Sequence, residues 1–376
     1  MSKIRCLIRL GEVPLHLYQI TAGFLMLKHQ GIIELEIEKQ RTYDRDRLPY
    51  NMMEVICNEE IKILYDLNDG YDNLLDDNQD YVAFMNHLLN KYDYYFKRSF
   101  SNRYNSKLKH REKLFPLGLN YMVTMKGNFA HLPAPCDPKK EKVKKFIRML
   151  PFSQYYNGLY TIESFENAPL KETNPKILLM ARLWDSNGDG VNGISSVKKE
   201  ERIYINEQRA KCISFCKTEF GDKFYGGITP SPFSTKYYPE LVLQDKSMTK
   251  RNNYLKKVKE SSICIATMGL HESIGWKFAE YISASRAIVT EELHYDVPGA
   301  LVNGENYLAF KTPEECVKQI YTLLNNDHLR YKMMAKNYEY YHQYVRPDRL
   351  VLNSLVTVLS GGRKIETNAD RFYAYI

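Results

Sequence analysis

Strand-type apolar runs alternate with helical patterns along this chain, and the alternation starts twice. In the first half, residues 3–9 alternate into a short strand, Pro14 opens a helical pattern reaching about His29, and Ile32 to Ile37 and Ile61 to Tyr65 read as strands. A helix over Tyr81 to Leu89 and a strand over Tyr92 to Phe96 follow. The second half restarts at Ile177-Leu-Leu-Met-Ala181. A helix from Glu200 to Phe220, a strand from Lys223 to Ile228 and a short helix from Asn252 to Lys259 come next. Three further strands are expected at Ser262–Thr267, Arg286–Thr290 and Asn306–Phe310. Helices then run from about Pro313 to Asn325, from about Asp327 to Tyr344, and from Pro347 to near Gly361. Such alternation predicts an α/β protein with parallel sheets covered on both faces. The polar stretch around Ser164 to Asn174, with Pro169, reads as the linker, so the expected domains are 1–168 and 169–345, with a last helical segment over 346–376.

At 376 residues the chain exceeds one ordinary domain core, which agrees with two domains. The formal net charge of +8 favours anionic partners as much as plain solubility. Seven dispersed cysteines, an odd number, fit reduced buried thiols in a cytoplasmic protein. No segment reaches the uncharged length that spans a bilayer, so the expected membrane contact is at most peripheral, at the inner face of an anionic membrane.

Two carboxylates carry the chemistry. Glu272 and Glu280 stand eight positions apart in Gly269-Leu-His-Glu272-Ser-Ile-Gly275-Trp-Lys-Phe-Ala-Glu280. The strand before them places Glu272 on the departing loop and Glu280 about two turns into the next helix. Ligands of open α/β sheets bind beside such strand ends, and carboxylates accept hydrogen bonds from hydroxyls. A ribose or sugar is the expected ligand.

This pattern resembles the Glu-x7-Glu motif of GT-B glycosyltransferases, particularly the retaining family 4. Downstream, Val302-Asn-Gly304-Glu-Asn306-Tyr-Leu-Ala-Phe310 is similar to that family's turn and strand, and Leu324-Asn-Asn-Asp-His-Leu-Arg330 to its helix connection. The resemblance covers roughly the last third of the chain. It implies two Rossmann-like domains facing across a cleft, with a nucleotide-diphosphate sugar as co-substrate and no metal or other cofactor. It gives Glu280 the donor ribose and Glu272 the donor sugar. The backbone at Ile274 and Gly275, beside His271, would meet the diphosphate, as helix N-termini do. Arg182 in Met180-Ala-Arg-Leu matches the family's cation after the first strand of the donor domain. Ala181 replaces the usual Gly, and the companion Lys is missing, leaving Lys250, Arg251 or Lys277 as its substitute. The resemblance also sends the last helix back towards the first domain.

Other candidates are less specific. Asp66 and Asp69 follow a strand of the first domain; in an inverting reaction one of them, with Asp69 the candidate, would be the general base for the acceptor hydroxyl. His16 stands near the first helix, where acceptor contacts would fall. Asp185-Ser-Asn187-Gly-Asp189-Gly190 opens like a calcium loop, but the twelfth position is Ser196, so it reads as a turn. The basic stretch 97–113 interleaves Phe96, Phe100 and Tyr104, a mixture that could meet nucleic acid, a lipid diphosphate or an anionic membrane. No nucleic-acid motif accompanies it, which disfavours that partner. The expected acceptor is a glycan or a lipid-linked molecule. A nucleotide-sugar epimerase of the same fold, a non-catalytic scaffold and a nucleic-acid-binding protein are the alternatives.

Overall fold

The computed structural model describes residues 3–10, 13–39, 48–71, 80–133, 139–149, 160–188 and 194–362. The chain divides into two compact units. The first comprises Met1–Ser164, Tyr295–Ala300 and His342–Ile376, the second Phe165–His294 and Leu301–Tyr341.

The first unit is built on a six-stranded sheet of order β2-β1-β3-β4-β5-β6. Its strands are β1 (Ile4–Leu10), β2 (Ile33–Lys39), β3 (Met52–Cys57), β4 (Ile61–Asp66), β5 (Tyr94–Lys97) and β6 (Leu114–Pro116). β1 with β2, and β4 with β5 with β6, are parallel, whereas β3 is antiparallel to both neighbours. The sheet is therefore mixed, a departure from the parallel one expected. Its cause is local. Asn58 and Glu59 take left-handed backbone angles (φ 49° and 69°) and reverse the chain between β3 and β4. Successive positive φ values are what a tight hairpin twist requires.

The helix Tyr18–His29 is buried continuously from Tyr18 to Leu27 and packs on the helix Pro347–Leu359. Gly23 sits at their closest approach. A Cβ there would fall on the Pro347 carbonyl oxygen and lie 2.6 Å from Val351 Cγ2. Gln19, fully buried, donates from Nε2 to the Val345 carbonyl (2.8 Å) and accepts from Asn120 Nδ2 (2.8 Å). Leu350, Val351, Leu355 and Val358 of the last helix join the same core as Ile8, Phe24 and Tyr65.

The second unit holds a five-stranded, all-parallel sheet of order β11-β10-β9-β7-β8. Its strands are β7 (Ile177–Ala181), β8 (Phe224–Ile228), β9 (Ile263–Ala266), β10 (Ala287–Glu291) and β11 (Leu308–Phe310). β7, β9 and β10 are buried at every position, which is why they read as unbroken apolar runs rather than alternating ones. The helices Ser196–Phe220 and Pro313–Leu324 pack beside each other over this core. The stretch read as a linker is bonded into this unit: Arg286 donates to the Ala168 carbonyl, and Ser262 Oγ to Glu172 (2.8 Å). The six cysteines among the described residues are buried and unbridged; Cys136 lies outside them.

Candidate functional site

In a doubly wound sheet the ligand crevice lies beyond the carboxyl ends of the strands, where the strand order reverses. In the second unit that point is between β7 and β9, whose chains continue at Arg182 and Thr267. Arg209, from the helix Ser196–Phe220, ties the two ends together. Its guanidinium donates to the Arg182 carbonyl (2.5 Å), Thr267 Oγ1 (3.0 Å) and the Met268 carbonyl (2.8 Å). Burial pushes its pKa down to about 10, against the opposing pull of Glu291. Sequence reasoning missed this residue. The available signal was a cation on the buried stripe that also carries Ile205, Cys212 and Cys216. Glu291, at the end of β10, accepts the Met268 N–H (2.5 Å), and burial raises its carboxyl pKa.

The loop after β9 is strained. His271 and Glu272 both adopt left-handed angles (φ 57° and 56°), a conformation that costs a non-glycine residue roughly 1–3 kcal/mol. Hydrogen bonds hold it: Gly269 N–H to the Ser273 carbonyl (2.8 Å), Ser273 N–H to the Leu270 carbonyl (3.1 Å), and His271 N–H to Glu201 Oε1 (2.5 Å). Glu272 is exposed and lines a small pocket with Thr267, Ile274, Gly275 and Glu291.

Gly275 is the N-cap of the helix Trp276–Ser283, whose first turn receives no side-chain cap. Helix N-termini are where anionic groups meet backbone N–H donors. Lys277 in that turn donates to the Met180 carbonyl of β7. Burial lowers its pKa to about 8; Glu280 pulls it up, while Arg209 and Arg251 push it further down.

Glu280 is no surface charge. It is 1% exposed and accepts from Arg251 Nη2 (2.5 Å) and Nη1 (3.3 Å). The Arg251 guanidinium lies 5.4 Å from the Phe165 ring centre and 5.3 Å from that of Tyr254. Of the three cations considered for the missing Lys, Arg251 is thus engaged with Glu280, Lys277 reaches β7, and Lys250 is exposed at the start of the helix Arg251–Glu260. Arg182 is exposed, its guanidinium 4.8 Å from the Trp184 ring centre.

Asp69 belongs to the first unit. Arg98 donates to its carboxylate (2.6 Å), and both act on the charge of His16, whose pKa burial lowers to about 4. His16 is therefore neutral at pH 7. Asp66 is buried and fully engaged: Lys97 Nζ (2.9 Å) and the Tyr95 hydroxyl (2.7 Å) both donate to it. Several cations of the basic stretch are accordingly structural. Lys97 and Arg98 are buried in ion pairs, and Lys113 Nζ donates to the Leu89 and Tyr92 carbonyls (3.1 Å each). At the calcium-like sequence, Asn187 N–H donates to Asp185 Oδ1 (2.9 Å) in a turn; Asp189 and Gly190 lie outside the described residues. Among the described residues no three His, Cys, Asp or Glu side chains gather as metal ligands.

No protein-family model matches the chain, and no curated protein matches it. Among solved structures it is weakly similar to HepE from Anabaena in complex with UDP and glucose, at 11% identity over 94% of this chain and 99% of that one, with a TM-score of 0.38. The pneumococcal O-GlcNAc transferase GtfA in complex with UDP and GlcNAc is 10% identical over 90% of this chain and 54% of its own, with a TM-score of 0.36. The C-terminal domain of a glycosyl transferase group 1 family protein, LpcC from Francisella tularensis, is 12% identical over 48% of this chain and 95% of its own, with a TM-score of 0.33. At such values the likeness decides nothing about the reaction, and the α/β class rests on the strand order of the two sheets.

Proposed function

We propose that the chain is a GT-B-type glycosyltransferase that moves a sugar from a nucleotide-diphosphate donor, held by the second unit, to a glycan or lipid-linked acceptor held by the first. One observation carries this reading. Lys277, in the first turn of the helix Trp276–Ser283, donates to the Met180 carbonyl near the end of β7, next to the strand-order reversal between β7 and β9.

Each group has a role. Transfer leaves negative charge on the departing diphosphate, and preorganised cations and N–H donors lower that barrier. Arg182, Lys277 and the backbone at Ile274 and Gly275 supply them, with His271 and Lys250 at the margin, so the reading needs no metal or other cofactor. Glu272 faces the donor sugar. Glu280 takes the ribose hydroxyls. A carboxylate offers about four lone-pair sites, and Arg251 uses two of them, so ribose and Arg251 share this group. Retention of configuration is the favoured outcome, with the leaving phosphate accepting the acceptor proton. Asp69, held by Arg98, is the base only if the reaction inverts.

The test is calorimetric and thermal-shift binding of nucleoside diphosphates and their sugars to the wild type and to Glu280→Gln. A true donor raises the melting temperature. Losing one charge-assisted hydrogen bond weakens binding by roughly 1.5–3 kcal/mol. Equal affinity in both proteins would remove Glu280 from the ribose site, and no binding of any nucleotide would remove the function.

A further inference from the structure

The helix Lys139–Met149 of the first unit is built inside out. Val143, Phe146 and Ile147 are 58%, 61% and 46% exposed, whereas Lys145 is 5% exposed. An α-helix advances about 100° per residue, so positions i, i+3 and i+4 form one stripe. Val143, Phe146 and Ile147 are that stripe. Lys145 stands roughly 200° from Val143, on the opposite side. An ordinary surface helix buries its apolar stripe and turns its lysines to water. This one, resting on the short turn Phe129–His131, does the reverse.

The residues beside the stripe select the environment it suits. Lys139, Lys140 and Lys144 are exposed and Lys142 half-buried, so the apolar stripe has a cationic border. Apolar residues bordered by lysines match the boundary of a bilayer that carries anionic headgroups: the stripe enters the acyl edge and the ammonium groups meet the phosphates. The formal charge of the whole chain, +8, has the same sign. Among the described residues no helix is long and apolar enough to cross a membrane, so the contact is one of lying on the surface. We propose that the helix Lys139–Met149 docks the protein on an anionic lipid surface through Val143, Phe146 and Ile147, with Lys139 and Lys140 reading the headgroup charge.

Vesicle co-sedimentation of the full chain tests this directly. Vesicles of phosphatidylcholine alone are compared with vesicles in which roughly a third of the lipid is phosphatidylglycerol. Binding is expected to the anionic vesicles, and it should weaken as salt is raised. Phe146→Ser should lower partitioning at least about tenfold, and Phe146→Leu should restore it. Lys139→Glu with Lys140→Glu should lower it by about tenfold or more at low salt. All these positions are exposed, so circular dichroism should be unchanged in every variant. Absence of binding to anionic vesicles, or binding indifferent to Phe146→Ser, would overturn the proposal. So would a dimer in sedimentation velocity that Phe146→Ser dissociates, since a second copy would then be what covers the stripe.

Discussion

Lys277 carries a charge that its surroundings oppose. Burial brings its pKa to about 8, below the ordinary lysine value. Between about pH 8 and 10.5 the unfolded chain binds this proton more strongly than the folded one, so stability rises with pH across that window. At neutral pH both states are protonated and the enclosed cation costs about 1–3 kcal/mol. Lys277→Met should therefore gain stability of that order at pH 7, lose the rise towards pH 10, and bind nucleoside diphosphates more weakly. Urea unfolding at both pH values with parallel binding measurements checks all three, and a variant less stable at pH 7 would show the ammonium to be a net stabiliser. Residue-level legibility was uneven for a physical reason. The Glu272 and Glu280 spacing lies within one loop and helix, so it is visible in sequence. Arg209 gains its partners at separations of 27, 58 and 59 positions and Arg251 at 29. No local pattern encodes those contacts.

The helices Tyr18–His29 and Pro347–Leu359 meet where only a hydrogen fits on Gly23. Gly23→Ala improves helix propensity by about 1 kcal/mol but drives a methyl into backbone. Overpacking of this kind typically costs about 1–3 kcal/mol, so the variant should be destabilised on balance, measured as a lower denaturation midpoint. A midpoint at or above wild type would mean that the two helices separate without loss. Elements of strong periodicity were readable: the helix Arg251–Glu260 and the strands β7, β9 and β10 fall within about two residues of their expected limits. β3 was not read, although Met52 to Cys57 is largely apolar, because its place depends on the hairpin reversal at Asn58 and Glu59. β6 has three residues, too few for any period to show.

At the scale of the molecule, the proposed donor site belongs to one unit alone. Hydrogen exchange with a bound nucleoside diphosphate should therefore slow in the loop Thr267–Gly275 and the helix Trp276–Ser283. It should stay unchanged in the helix Tyr18–His29. Protection confined to the first unit would place the nucleotide elsewhere. The α/β class was legible at this scale because each buried strand leaves its own apolar run. The partition was less so, since Tyr295–Ala300 returns to the first unit from the middle of the second, and six residues carry no compositional mark of that.

That partition also orders events on the ribosome. The first unit draws on Leu350, Val351, Leu355 and Val358 for its interior, and these are translated after every residue of the second. Domains commonly mature in the order in which they are synthesised. Here the earlier-made half must wait, with the apolar side of Tyr18–His29 unsheltered, until the closing helix emerges from the exit tunnel. Nascent chains stalled before Pro347 should be the form that chaperones hold.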